Sequence, residues 1–112
     1  MTDTRKVTVV DGGKCGTVLV EEPALHASYE LFGCAPVQAF GTVRERDIYF
    51  RARHTDWSFD VADSNGRLPS DGYKDSDGFY REAPYPKASY MPFEDAMRII
   101  EECLREYLQG TT

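Results

Sequence analysis

No stretch of this sequence approaches the ~20 consecutive apolar residues of a membrane-spanning helix, and its N-terminal Met-Thr-Asp-Thr-Arg-Lys holds no apolar signal core. The expectation is a cytoplasmic protein with no membrane association. Cysteine is scarce: Cys15, Cys34 and Cys103 form an odd, scattered set, and neither of the two histidines stands at ligand spacing from them. That pattern argues for three reduced thiols and against both a disulfide framework and a structural zinc site. Positive charge is in deficit, with 13 Lys and Arg against 19 Asp and Glu, net −6. General nucleic-acid binding is argued against, because affinity for a phosphate backbone rises with the cations placed along it. A partner protein with a basic surface fits the balance better.

Catalytic motifs are also missing. Around Gly13-Lys14 a phosphate-binding loop would need glycine where Thr8 stands and Ser or Thr where Cys15 stands. There is no serine elbow and no pair of zinc-spaced histidines. The nearest approach to catalysis is His54 near Asp56 or Asp60, with Cys34 as nucleophile, but His54 continues an apolar alternation beside Trp57 and reads better as a packed or rim residue. A non-enzymatic protein without cofactor is expected.

What is present suffices for one α+β domain over residues 1–112, with 41% apolar and 29% charged residues. Its centre is a meander over 37–62. Ile48, Phe50, Ala52 and His54 alternate with Tyr49, Arg51 and Arg53, and Trp57, Phe59 and Val61 alternate with Ser58 and Asp60, the two-residue period of half-buried strands. A bend at Thr55-Asp56 would set Ala52 opposite Phe59, Phe50 opposite Val61 and Arg51 opposite Asp60. Upstream, Val37, Ala39, Gly41 and Val43 add a strand, Arg44 to Asp47 makes the loop, and Gly41 faces Phe50, leaving room for its ring. Two β-branched runs, Lys6–Val10 and Thr17–Val20, predict a further hairpin, so the antiparallel sheet has about five strands.

Residues 23–32 suggest a short helix: Pro23 at its first position, Leu25, Tyr29 and Phe32 on one face, Gly33 as stop, and His26 a bystander. Residues 63–90, rich in Gly, Pro, Ser and Asp, read as a long loop, and its tyrosines and Phe79 either clamp it to the sheet edge or form a recognition surface. From Pro92 to Gln109, apolar residues at spacings of three and four predict an amphipathic helix across the sheet, with Cys103 in its buried stripe and Glu94 and Asp95 at its positive end.

Three candidate sites follow. The first is a protein-binding surface in which Glu94, Glu101, Glu102 and Glu106 steer a basic partner and Tyr73, Phe79, Tyr80 and Tyr85 anchor it. Small acidic inhibitors of the immunity or anti-defence type are an analogy of kind for such a scaffold. The second is a small-ligand or nucleotide site on the sheet face carrying Phe40, Tyr49, Arg51 and Arg53, where rings could stack a base and arginines hold phosphate. The third and weakest is a cation site at Asp71, Asp75 and Asp77, whose spacing fails the EF-hand count and equally suits a turn.

Overall fold

A computed structural model describes residues 5–72 and 77–110. Seven strands form one antiparallel meander: β1 Lys6–Asp11, β2 Thr17–Glu22, β3 Ala27–Phe32, β4 Val37–Val43, β5 Arg46–Arg53, β6 Asp56–Val61 and β7 Phe79–Pro84, each paired with its neighbours in chain order. The helix α1, Phe93–Gly110, covers one side of the sheet. The architecture is α+β with a C-terminal packing helix, and the sheet has seven strands where about five were expected. No helix among the described residues is long and apolar enough to cross a membrane.

Strict alternation supplies the core. Val20, Tyr29, Leu31, Ala39, Phe50, Phe59 and Val61 point to the helix side and are at most 1% exposed. They meet Ala96, Ile99, Ile100, Cys103, Leu104 and Tyr107 of α1. Removing a ring such as Phe50 from water contributes roughly 3 kcal/mol, so helix and sheet stabilise each other. Two guanidinium groups tie α1 to opposite edges of the sheet. Arg5, just ahead of β1, bonds Glu101, and Arg81 on β7 reaches Glu106 at 2.6 Å. Glu101 and Glu106 lie five positions apart on one helix, so the sheet is curved around it.

The expected second strand pair is correct in its faces and wrong in its register. Only His54 and Thr55 connect β5 to β6, so Phe50 pairs with Phe59, Ala52 with Trp57 and Arg51 with Ser58, while Asp60 stands opposite Tyr49. His54, at φ 60°, is an exposed turn residue and not part of the apolar face. The preceding turn is shorter than expected as well: Arg44 and Glu45, at φ 47° and 71°, make a two-residue connection, and Arg46 already lies in β5. Gly41 therefore faces Ile48 and not Phe50, and the room it leaves is filled by Tyr29 on β3.

Three further expectations are corrected. Residues 23–32 are not a helix. Pro23 opens a single 3-10 turn to Leu25, His26 ends it in the left-handed region, and Ala27–Phe32 is β3. Residues 63–90 are not one loop, because Phe79–Pro84 is the edge strand β7 and 3-10 turns occupy Pro69–Asp71 and Ala88–Tyr90. Finally, Cys15 and Cys34 form a disulfide that joins the β1–β2 turn to the β3–β4 turn, so Cys103 is the free thiol. The pairing overturns the expectation of three reduced thiols.

Candidate binding face of the sheet

α1 leaves the other side of the sheet open, and three rings lie across it. Phe40 on β4 pairs directly with Tyr49 on β5, centroids 4.9 Å apart, and Phe32 on β3 lies diagonally at 5.7 Å from Phe40. The Tyr49 hydroxyl donates to Gln38 Oε1 at 3.0 Å, which fixes that ring. Phe40, at 52% exposure, is the outward member of the row. A large ring so exposed beside two others marks a contact surface more readily than a scattered apolar residue does.

One side of this row is walled by the segment after β6. The Asp60 carboxylate, fully buried, accepts the Ser70 N–H at 2.7 Å. Asp63, 2% exposed, accepts the N–H groups of Asn65 and Arg67 and the Arg67 Nε–H. These buried acceptors hold the segment in a defined path, since leaving either carboxylate unsatisfied is costly. Between the segment and the ring row lies a cleft of about 520 Å³, lined by Phe40, Tyr49, Leu68, Arg67, Asp47 and Asp71. Asp47 and Asp71 are exposed on its rim. Two aromatic rings with two rim carboxylates suit a lysine or arginine side chain, whose apolar stem packs on the rings while its charge meets the carboxylates.

Of the expected ligand-binding set, Phe40, Tyr49 and Arg51 come together. Arg51 lies between Gln38 and Ser58 and has no ion pair among the described residues. Arg53, opposite Asp56, sits at the far end of the strand. The expected partner-binding set is divided between the two sides of the sheet. Phe79 packs edge-on against Phe59 and Tyr107 under the Arg81 guanidinium, and the Tyr85 hydroxyl donates to Asp95 on α1. Tyr80 is on the open side, its hydroxyl donating to Glu82, and burial followed by that bond pushes its pKa up to about 12. On α1, Glu101 is held by Arg5 and Arg105 and Glu106 by Arg81, while Glu102 lies 3.7 Å from Arg98 and Glu94 is exposed. Tyr73 and Asp75 lie outside the described residues. Asp77 accepts the Ser64 N–H at 2.8 Å and lies 4.0 Å from Arg46, and no group of three metal-ligating side chains stands together among the described residues. The disulfide occupies the sulfur of Cys34, so it is not the nucleophile for His54.

Phe32, Asp47 and Leu68 were not expected from the sequence to belong to a site. The alternation Ala27, Tyr29, Leu31 against Ser28, Glu30, Phe32 was the signal that could have placed Phe32 beside Phe40. No family model, no curated protein and no solved structure matches this chain.

Proposed function

We propose that this protein is a non-catalytic binding domain that receives a basic segment of a partner protein on the open side of its sheet. The observation that carries the reading is the cleft that the stacked rings of Phe40 and Tyr49 line together with Asp47 and Asp71. The chain's net charge of −6 would speed encounter with a basic surface, and the anchored 62–72 segment presents the cleft already formed. The acidic face of α1 contributes less than its composition suggests, because Glu101 and Glu106 are already bridged by arginines. The inhibitor role of immunity-type proteins is compatible with such a surface. A cytoplasmic site of action belongs to this reading only where Cys15 and Cys34 are reduced, since a disulfide persists in oxidising compartments.

The test is a titration of isotope-labelled protein with a short oligo-arginine peptide, followed by amide shifts. Shifts should centre on Phe40, Asp47, Tyr49 and Leu68. Asp47→Lys with Asp71→Lys should weaken binding about tenfold, the sum of two partly screened charge contacts of about 0.7 kcal/mol each, and Glu94→Lys should leave it unchanged. Shifts confined to α1, or an affinity indifferent to the double variant, refute the reading.

A second reading has its own observation. Arg51, opposite Ser58, has no ion pair among the described residues and lies beside the aromatic row, which favours an anionic small molecule such as a nucleotide. A nucleoside monophosphate in the same titration should then shift Tyr49 and Arg51, and Arg51→Glu should abolish the effect.

A further inference from the structure

The two edges of the sheet are finished differently. β7 carries Arg81, Glu82 and Pro84, and Arg81 is drawn onto α1. Charge and a residue without an N–H are the devices that keep a free edge from pairing. β1 has none of them in its centre. All six of its residues are exposed, three of its four central positions are valine, and Val7, Val9 and Val10 are 45, 67 and 59% exposed. Val7 pairs with Val20 and Val9 with Val18 on β2, so both point to the helix side, beyond the reach of α1.

We propose that β1 pairs, antiparallel, with β1 of a second copy of this chain about a two-fold axis at Thr8. An axis normal to the sheet keeps both helices on the same side, so residues opposite one another must share a face. Centring on Thr8 satisfies this over the longest stretch. Val7 of each copy meets Val9 of the other, Thr8 meets Thr8, and Lys6 lies next to Asp11 of the second copy at both ends. Centring on Thr8-Val9 would oppose residues from different faces, and centring on Val9 runs into the irregularity between Val9 and Asp11. Pairing of β1 with β7 of another copy meets Pro84 and the charges of Arg81 and Glu82. Two six-residue strands bury less than the ~1,200 Å² of a standard stable interface, so the dimer is weak and concentration-dependent. The cleft beside Phe40 takes no part in it.

Sedimentation of the full chain from about 10 µM to about 1 mM should show a monomer–dimer equilibrium. Val9→Lys should abolish the dimer while leaving the dilute melting temperature unchanged, because the side chain is 67% exposed. As an independent readout, Thr8→Cys should cross-link to itself on oxidation, since directly opposed Cα atoms at about 4.5–5.5 Å suit a disulfide, whereas Lys6→Cys should not. A chain that stays monomeric throughout, a dimer that survives Val9→Lys, or equal cross-linking at positions 6 and 8 overturns the proposal.

Discussion

Replacing Gly41 by alanine should be among the most damaging one-carbon changes available in this chain. Gly41 lies in β4 between Tyr29 on β3 and Ile48 on β5. A Cβ at this position would overlap the Ser28 carbonyl oxygen and stand 2.5 Å from both Cα and Cβ of Tyr29. These atoms belong to backbone or to the root of a ring that is 1% exposed, so no flexible side-chain end can give way. Relief requires β3 and β4 to separate in the middle of the sheet. Overpacking a well-packed core costs typically 1–3 kcal/mol, and more where backbone must shift, so a loss of about 3 kcal/mol or more is expected. That is a large part of the roughly 5–15 kcal/mol by which such domains are stable. At about 4 °C per kcal/mol for a chain of this size, the melting temperature should fall by about 12 °C or more. Urea denaturation, followed by circular dichroism and by the fluorescence of half-buried Trp57, measures it. Gly110→Ala, with nothing within 4 Å of the added carbon, is the control and should be neutral or slightly stabilising. A loss below about 1 kcal/mol for Gly41→Ala would refute the close approach of β3 to β4 and with it their register.

The remaining predictions concern thiols and protons. Unfolding without reductant should expose one reactive thiol per chain, and reduction should raise the count to three; three without reductant would remove the Cys15–Cys34 bridge. In the folded protein Cys103, 4% exposed and with its pKa pushed up to about 12 by burial, should not react at neutral pH. Cys15→Ser opens a link across 19 positions and should cost about 3 kcal/mol. Burial raises the Glu22 carboxyl above its ordinary 4.5, an effect that Arg5 only partly offsets. A raised acid favours the folded state at low pH, and that contribution is lost as pH climbs from the unfolded value through the folded one. Glu22→Gln should therefore flatten the fall in stability above pH 4.5; an unchanged pH profile would show that the Glu22 carboxyl is not the group responsible.

Which side chains share a face, and which lie opposite one another, are separate questions, and the sequence answers the first far better. Alternation in 48–54 and 57–61 correctly groups Phe50, Ala52, Phe59 and Val61 under α1. It leaves the pairing open, because realigning a hairpin by two residues keeps every side chain on its own side. The turns decide the register, and here they lack the Asn-Gly or Asp-Gly that would announce them. Arg44, Glu45 and His54 take positive φ instead, a conformation their side chains do not signal. α1 was legible because its apolar stripe runs unbroken and Pro92 precedes it. β3 was not, since Leu25, Tyr29 and Phe32 fit a helical spacing while Ala27, Tyr29 and Leu31 fit a strand. β7 was missed because an edge strand of Phe-Tyr-Arg-Glu-Ala-Pro has little alternation to show.

The candidate site was less legible for the same reason: its rows run across strands. Phe40 and Tyr49 were recognisable as one face of a meander, but their neighbours depend on two registers at once. The two-residue realignment of β5 against β6 takes Asp60 away from Arg51 and sets it opposite Tyr49, where it is buried and accepts the Ser70 N–H. One displacement thus has two effects. It leaves Arg51 beside the rings without an acidic partner among the described residues, and it gives the 62–72 segment the anchor that walls the cleft. In the register expected from the pattern, an Arg51–Asp60 pair would have neutralised both groups, and the Ser70 N–H would have lost the buried acceptor that, with Asp63, holds Leu68 and Asp71 beside Phe40. The candidate face is in this sense a product of the His54-Thr55 turn, which lies outside the cleft itself.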